Sequence, residues 1–330
     1  MVIPDKISVI ITSYNQKEYL TEAIESVLSQ TLQPLEIIIV DDASSDGSRE
    51  LIEAYRLKYP DVITTHYNSS NLGIPKTKNI GCKKAQGDLV TVLDGDDRFC
   101  PTKLEKEYKL LNSNSGLKIV FSNVNFIDHN GKFIDVWIKN KQDFIETPMD
   151  IFQNVFAFKE PYWLFRNELV IYNLLEKIGF YDERLPIYED TDLRIRLTHK
   201  NKVAFCPEPL TEYRKHSSGV HHTPATFHYK IIKSIYKKNQ WMLNDLSNKD
   251  RYSLIKNVHE NFSQVSQRVI EVSLLNNNKR IAFCYLLEAL RYGIKLINPI
   301  LAIQVFLPKM LYKLLKNKIA KKFSWKIRES

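Results

Sequence analysis

The sequence predicts an α/β fold in which helices flank a mostly parallel central sheet, followed by a helical C-terminal region. Short apolar runs such as Leu89–Leu93 lack polar alternation, which is typical of strands buried on both faces of a sheet. These runs alternate with amphipathic segments of roughly ten residues, as they do in βαβ units. From Phe227 onward the apolar residues recur at helical spacing, so we expect helices throughout that region.

The individual elements follow from local patterns. Strands are expected at 6–12, 35–40, 62–66 and 89–93, and helices at 18–29, 48–59, 75–85 and 101–111. Beyond Leu117, two strands at 119–125 and 132–136 flank the turn at 128–131, which predicts a hairpin. A further helix is expected at 148–158. The segment 187–192 leads into another helix that ends at about residue 200, and short strands are expected at 203–206 and 210–214.

Composition excludes several classes of protein. The four cysteines are far apart and form no Cys-x-x-Cys pair, which argues against a zinc site and against a disulfide framework. The first residues lack the pattern of a signal peptide, and no run of about 18 uncharged apolar residues predicts a transmembrane helix. We therefore expect a cytoplasmic protein with an ordinary hydrophobic core.

Charge is distributed unevenly along the chain. The formal net charge is +9, but residues 225–330 hold 20 Lys and Arg against 6 Asp and Glu, a net of +14. Residues 1–224 therefore have a net charge of −5. An acidic half and a strongly basic half suggest two different partners.

Three aspartates, Asp94, Asp96 and Asp97, directly follow the run Leu89–Leu93. Carboxylates this close repel one another in a partly desolvated cleft, so they require a counter-charge. A hard divalent cation, Mn²⁺ or Mg²⁺, is the natural one, and it would in turn hold the phosphates of a substrate. The alternative is a solvated Asp-Gly turn that binds no metal.

Polar residues also end the neighbouring strands. Asp41 and Asp42 follow the second strand, where a carboxylate commonly accepts hydrogen bonds from a ribose or a base. Thr12 and Tyr14 end the first strand and would line the same crevice. Neither a Gly-x-Gly-x-x-Gly motif nor a P-loop is present, so we expect the metal, with Lys78 nearby, to hold the phosphates.

Several of these motifs occur in the order found in a known family. They are Ser8–Asn15, Ile39–Asp46, Asn71–Gly73, Lys78–Asn79, Leu93–Asp97, Glu189–Asp190, and Tyr213–Arg214 with His216. Through them the chain resembles the family 2 glycosyltransferases of the GT-A fold over roughly residues 6–220. Each motif alone is weak, but the ordered set is specific.

The resemblance implies roles for the matching positions. The donor sugar nucleotide would be contacted by Thr12, Tyr14, Asp42, Lys78, Asp94 and Gly95. The metal would be held by Asp96 and Asp97, with His216 as a further ligand or, alternatively, as a solvated loop residue. Asp190 matches the catalytic base, whereas its neighbours Glu189 and Asp192 also suit a helix N-terminus as acids that complement the dipole. The family usually carries Arg where this chain has Lys78, and Lys binds phosphate without a bidentate fork.

The resemblance further implies an inverting transferase that uses single displacement. Asp190 would deprotonate an acceptor hydroxyl while a nucleoside diphosphate, most simply UDP, leaves the sugar. The acceptor would be a glycan or a lipid-linked molecule in cell-surface polysaccharide synthesis. We expect this activity in residues 1–224, with a donor-binding half at about 1–115 and an acceptor half at about 116–224.

The basic region 225–330 contains an amphipathic stretch at 294–323, with apolar residues from Ile300 to Ile319 and six lysines on the other side. A basic amphipathic helix suits an anionic membrane surface, where each Lys adds about 1 kcal/mol. This predicts peripheral binding at the inner face of the cell membrane; the alternative is a helix packed on its own domain. Nucleic acid is not expected, because no recognition motif accompanies the basic residues.

Two other functions fit parts of the sequence. A sugar-nucleotide nucleotidyltransferase also uses a parallel sheet, aspartates and a cation, but it should have a Gly-rich loop where this chain has Thr12–Asn15. A catalytically inactive glycan-binding or scaffold protein would retain the fold without the chemistry. The complete set of aspartates at positions 94, 96, 97 and 190 argues against that second alternative.

Overall fold

The computed structural model of the chain describes residues 6–139, 148–159, 166–216, 224–276, 278–292 and 305. The chain divides into two units, Met1–His221 and His222–Ser330. The first unit contains the sheet, and the second is helical in its described residues.

Four parallel strands form one half of the sheet in the first unit. They are β1 (Ile7–Ser13), β2 (Glu36–Asp41), β3 (Ile63–Tyr67) and β4 (Leu89–Asp94), in the order β3-β2-β1-β4. Helices α1 (Lys17–Leu28), α2 (Ser48–Lys58) and α3 (Ile74–Lys84) connect them. Every residue of β1 and β2 is buried, which confirms the prediction of strands covered on both faces.

The register of these strands places their carboxyl ends side by side. Thr12 of β1 lies opposite Val40 of β2 on one side and opposite Asp94 of β4 on the other. Ser13 lies opposite Asp41. Because the three strands end at the same level, the polar residues that follow them share one edge of the sheet.

The rest of the sheet mixes parallel and antiparallel pairs. Its elements are β5 (Arg98–Phe99), α4 (Lys103–Asn112), β6 (Leu117–Ile127), β7 (Phe133–Val136), α5 (Pro148–Phe156), β8 (Leu169–Ile171), α6 (Tyr172–Ile178), α7 (Glu189–Thr198) and β9 (Lys202–Arg214). The strand order continues β4-β8-β6-β9-β5, and β7 pairs with β6 in the predicted hairpin. β8 is antiparallel to both β4 and β6, whereas β6 and β9 are parallel.

One strand differs from the prediction. The two short strands expected at 203–206 and 210–214 form the single strand β9. Its register against β6 shifts around Asn123, opposite the segment that contains Pro207 and Pro209. Proline cannot donate to the ladder, so it interrupts the pairing there without ending the strand.

The main core of the first unit lies between the sheet and helices α1, α2 and α4. It consists of fully buried aliphatic side chains from these elements, among them Val9, Ile11, Ile24, Ile37, Ile52, Leu93, Leu104 and Val120. Burial of this apolar surface fixes the strands, and therefore fixes where the polar residues at their ends lie.

The second unit contains α8 (Ala225–Asn239), a 3₁₀ helix (Gln240–Asp245), α9 (Asn248–Leu275) and α10 (Lys279–Tyr292), as the apolar spacing predicts. The side chain of Ser247 caps α9 by accepting a hydrogen bond from the Asp250 amide. None of the described helices is long and apolar enough to cross a membrane. The amphipathic stretch at 294–323 lies outside the described residues, Val305 excepted.

Candidate active site

The turn after β4 lies against the end of β1. The Gly95 amide donates to the Thr12 carbonyl at 2.8 Å. A Cβ at position 95 would lie 2.8 Å from that same carbonyl oxygen, closer than side chains approach a main-chain atom. Glycine is therefore required for β4 to turn here while it remains paired with β1.

Asp94 lies between two cations. Its Oδ1 is 3.1 Å from the Lys78 ammonium and its Oδ2 is 2.7 Å from the Arg166 guanidinium. The Thr12 hydroxyl lies 3.4 Å from Oδ1. Burial alone would raise the pKa of Asp94, but the charges of Lys78 and Arg166 outweigh it and hold the pKa well below its usual range. Asp94 is therefore ionised and fixed in place.

Asp97 is buried and only partly hydrogen-bonded. Its Oδ1 accepts the main-chain N–H of Arg214 at 2.9 Å. Its Oδ2 has no hydrogen-bond partner among the described residues, the nearest cation being Arg166 at 3.8 Å. Burial and the neighbouring charge of Asp96 raise the pKa of Asp97 well above its usual value. A buried carboxylate oxygen without a partner is suited to accept a cation.

Asp96 and His216 come together although they are 120 residues apart in the sequence. Asp96 Oδ2 and His216 Nε2 are 2.9 Å apart, and this hydrogen bond raises the pKa of His216 despite partial burial. Arg214, almost fully buried, donates from Nε to the Asp96 carbonyl at 2.8 Å. Arg214, the last residue of β9, thus holds the main chain of the acidic turn, and His216, two residues beyond, holds the Asp96 side chain.

The residues predicted to bind metal do not form a complete site. Among the described residues, no group of three or more His, Cys, Asp or Glu side chains is arranged to hold a metal ion. The donor set nevertheless has the right chemistry, since Asp96 and His216 converge and the Oδ2 of Asp97 is unpartnered. A divalent cation on a sugar nucleotide takes further oxygen ligands from the phosphates and water, so two or three protein ligands suffice.

The predicted nucleoside residues lie at the ends of β1 and β2. Asp42 is buried and accepts hydrogen bonds from the Leu72 and Gly73 amides, at 2.8 and 2.9 Å, and from the Asn68 side chain. It therefore fixes the loop before α3. Tyr14 is 47% exposed.

Lys78 links the acidic turn to the start of α7. Its ammonium lies 3.1 Å from Asp94 and 3.1 Å from Glu189, the residue before Asp190. Burial would lower the pKa of Lys78, but the charges of Asp94, Glu189 and Asp190 outweigh it and raise the pKa. Residues distant in sequence are thereby held at one site.

Asp190 is a partly exposed carboxylate held by its own helix. Its Oδ1 accepts the Thr191 amide at 2.6 Å, and its Oδ2 is 2.9 Å from the Arg194 guanidinium, one turn along α7. Burial would raise the pKa of Asp190, but Arg194, Lys78 and Arg166 together lower it. The carboxylate is therefore ionised at neutral pH and able to accept a proton.

One pocket brings Lys78, Asp94 and Asp190 together, whereas its lining residues do not include Thr12, Tyr14, Asp42, Gly95, Asp96, Asp97 or His216. Its lining residues include Lys78, Asp94, Arg166, Glu168, Tyr181, Asp190 and Arg194. Three of them are predicted from the sequence, whereas Arg166, Glu168, Tyr181 and Arg194 are not. Arg194 and Glu168 lie 3.8 Å apart, and the pocket is lined by side chains of both charges.

Comparison with known proteins identifies the family. The model for "Glycosyl transferase family 2" matches residues 8–172. The chain belongs to glycosyltransferase family 2. The matched segment includes the strand ends and the acidic turn, and it stops before Asp190 and His216.

Related sequences have the same activity class in their names. An uncharacterised glycosyltransferase of Methanocaldococcus jannaschii is 33% identical over 211 residues, which cover 63% of this chain and 70% of that protein. The glycosyltransferase GlyG of Streptococcus pneumoniae is 28% identical over 225 residues, covering 66% and 73%. The family 2 chain is thus a transferase enzyme.

Solved structures share the fold. TarS of S. aureus, residues 1–349 in complex with UDP, matches with a TM-score of 0.55 at 17% identity, covering 85% of this chain and 88% of that one. The same protein with UDP-GlcNAc gives a TM-score of 0.57 at 16% identity, covering 85% and 89%. GalNAc-T7 with UDP, GalNAc and Mn²⁺ gives 0.52 at 15%, covering 66% and 45%. The α/β fold is therefore that of GT-A glycosyltransferases, as predicted.

Proposed function

We propose that this enzyme transfers a sugar from a nucleoside diphosphate sugar, with UDP as the favoured nucleotide, to a hydroxyl of a glycan or lipid-linked acceptor. The observation that carries the proposal is the double ion pair of Lys78 with Asp94 and Glu189. It brings the acidic turn after β4 and the start of α7 into one pocket. A displacement at a sugar carbon requires donor and base in such proximity.

Residues at the strand ends would bind the donor. Tyr14 offers a ring for stacking on the base, and Asp42 holds the loop 68–73 that borders the nucleoside. Thr12 and Asp94 lie at the end of adjacent strands, where the sugar and the diphosphate would meet. The solved relatives in complex with UDP and UDP-GlcNAc support a sugar nucleotide as donor.

A divalent cation, Mn²⁺ or Mg²⁺, would be held by Asp96 and His216, with Asp97 beside them. When bound, such a cation would neutralise charge on the departing diphosphate. The convergence of Asp96 and His216 and the unpartnered Oδ2 of Asp97 support this assignment. Arg214 keeps the turn in position by binding the Asp96 carbonyl.

Asp190 would act on the acceptor as the general base. Its carboxylate would take the proton of the acceptor hydroxyl as the acceptor oxygen bonds to the anomeric carbon. The bond between that carbon and the phosphate oxygen breaks, and the diphosphate leaves with the electron pair, which inverts the configuration. Arg194 holds Asp190 ionised and oriented for this step.

The second part of the proposal is that the basic region binds the membrane. With a net charge of +14, residues 225–330 would hold the enzyme at the anionic inner face of the cell membrane, where lipid-linked acceptors lie. Within the described part of this region, lysines and arginines outnumber acids.

A donor screen tests the proposal without knowledge of the acceptor. Nucleotide sugars are incubated with the enzyme and Mn²⁺, and slow hydrolysis is measured before and after excess chelator. We expect hydrolysis of one nucleotide class, abolished by chelation and by Asp96→Asn. Asp61→Asn, an exposed aspartate in a turn, is the matched control and should behave as wild type. Hydrolysis of no sugar nucleotide, or equal rates with and without cation, would contradict the proposal.

A further inference from the structure

Arg166 lies beside the acidic turn, where its guanidinium contacts two carboxylates and an aromatic ring. Its Nη2 lies 2.7 Å from Asp94 and 3.8 Å from Asp97, and its guanidinium carbon lies 4.2 Å from the centre of the Tyr213 ring. The side chain is 18% exposed and lines the pocket. The contacts with β4 and β9 allow the guanidinium little freedom to move.

The backbone that carries Arg166 is held by a buried polar network. The next residue, Asn167, has φ of 50°, in the left-handed region. Its carbonyl accepts hydrogen bonds from Lys103 Nζ at 2.9 Å and from Thr91 Oγ1 at 3.0 Å, and its side-chain amide donates to the Val92 carbonyl. This conformation is unfavourable for most residues and is retained because these contacts determine it.

A buried ion pair supports that network. Lys103 and Glu107 on α4 are 2.5 Å apart, and both side chains are completely buried. An i, i+4 pair of this kind normally lies on an exposed helix face, and burying two charges is costly. Here Lys103 uses its second hydrogen bond to fix Asn167, which orients the residue before it.

Lys78, predicted from the sequence to bind phosphate, is already engaged. Its ammonium is shared between Asp94 and Glu189 at 3.1 Å each, and its side chain is 8% exposed. Arg166 differs in this respect. Within the described residues, its Nε and Nη1 make no hydrogen bond, so part of its fork is unused.

We propose that Arg166 binds the diphosphate of the sugar nucleotide, which the sequence predicts to be held by the metal with Lys78 nearby. A guanidinium fork matches phosphate oxygens, and Asp94 and Tyr213 hold this one in place. Lys78 then serves as a positioning residue that joins the acidic turn to α7. This inference rests on the proposed function, since it requires a nucleoside diphosphate sugar as donor.

Calorimetry with a phosphate series tests the inference. The nucleoside diphosphate identified by the donor screen is titrated into the enzyme with Mn²⁺, followed by the corresponding monophosphate and nucleoside. Arg166→Gln should weaken diphosphate binding by about 10- to 100-fold, the contribution of a charge-assisted hydrogen bond, with little change for the nucleoside. Arg166→Lys should recover part of the loss, because it restores charge without the fork.

The remaining outcomes separate the alternatives. Arg56→Gln, which removes a surface arginine paired with Glu53 on α2, is the matched control and should bind like wild type. If Arg166 only balances Asp94 and Asp97, then Arg166→Gln should bind Mn²⁺ more tightly and the diphosphate no worse, which overturns the inference. Equal losses for diphosphate and nucleoside, or a lysine variant as weak as the glutamine variant, also overturn it. If wild type binds no nucleoside diphosphate, it is the proposed function that fails.

Discussion

Replacement of Arg214 by lysine should destabilise the first unit and loosen the turn that carries Asp96 and Asp97. The guanidinium is completely buried and donates to the Asp96 carbonyl at 2.8 Å and to Glu22 at 2.7 Å. It also donates to two carbonyls in the turn between β6 and β7, at 3.0 and 3.3 Å. Its plane lies over the Tyr19 ring, with the central carbon 4.6 Å from the ring centre. This one side chain therefore joins three parts of the chain.

The expected loss of stability follows from the hydrogen-bond acceptors that a lysine side chain could not reach. A single ammonium cannot reach acceptors spread around a planar fork. Each buried acceptor left without a donor costs about 1–3 kcal/mol, and a broken buried ion pair about 3–5 kcal/mol. Glu22 is 40% exposed, so water compensates for part of its loss. We expect the free energy of unfolding to fall by about 3 kcal/mol, which lowers Tm by roughly 6–12 °C for a unit of this size.

Urea and thermal unfolding measure this change. Arg56→Lys is the control, because its partner Glu53 is on the surface of α2 and such exposed pairs contribute little to stability. Cation-dependent donor binding should also weaken, measured well below the Tm of the variant. If Arg214→Lys loses less than about 1 kcal/mol, the hydrogen bonds described here do not hold the acidic turn.

Three further changes have definite expected outcomes. Gly95→Ala places a Cβ 2.8 Å from the Thr12 carbonyl and should cost about 1–3 kcal/mol in urea unfolding; an unchanged midpoint would refute the close approach. Asp46→Ala removes an acceptor for main-chain N–H groups at the starts of α1 and α2 and should cost about 1 kcal/mol at pH 7. Burial would raise the pKa of Asp46, but its hydrogen bonds outweigh this and lower the pKa, so the difference from wild type should persist above about pH 4 and shrink as pH falls; a constant difference down to pH 2 would contradict this. Deletion of residues 308–330 should abolish sedimentation with anionic liposomes while sparing donor hydrolysis, and binding that ignores lipid charge and salt would contradict the electrostatic role.

The sequence was most informative where hydrophobic runs determine position. Strands β1, β2 and β4 are mostly apolar and lack regular polar alternation, so they should be covered on both faces, and parallel strands end at a common edge. This was enough to predict that Thr12, Asp42 and Asp94 share one side of the sheet. The register, with Thr12 opposite Asp94, confirms that part of the reasoning.

The sequence was less informative for the segment around Arg166. β8 has only three residues, and its position is determined by antiparallel pairing with β4 and β6. No local sequence pattern predicts this pairing. Arg166 depends on the left-handed Asn167 and on Lys103, which lies 64 residues before Asn167 in the chain. A lone arginine in an unremarkable stretch gives no signal of this kind.

Some charged side chains have surroundings that their sequence spacing does not predict. Lys103 and Glu107 have the spacing of a surface pair, yet both are buried because α4 packs that face against the sheet. Lys78 was expected near phosphate, whereas its position is determined by Glu189, 111 residues away. Such long-range contacts between charges follow from the tertiary fold and not from local periodicity.

The proposed function assigns activation of the acceptor to Asp190, in the pocket that would also receive the donor. The most direct test measures turnover and donor affinity of Asp190→Asn together, once a donor and an acceptor are known. The asparagine keeps the shape of the side chain and removes the proton acceptor, so turnover should fall by about 10²–10⁴ while affinity for the nucleoside diphosphate changes little. Asp61→Asn should retain both properties. Near-normal turnover in Asp190→Asn, or a loss of donor binding as large as its loss of turnover, would contradict the claim.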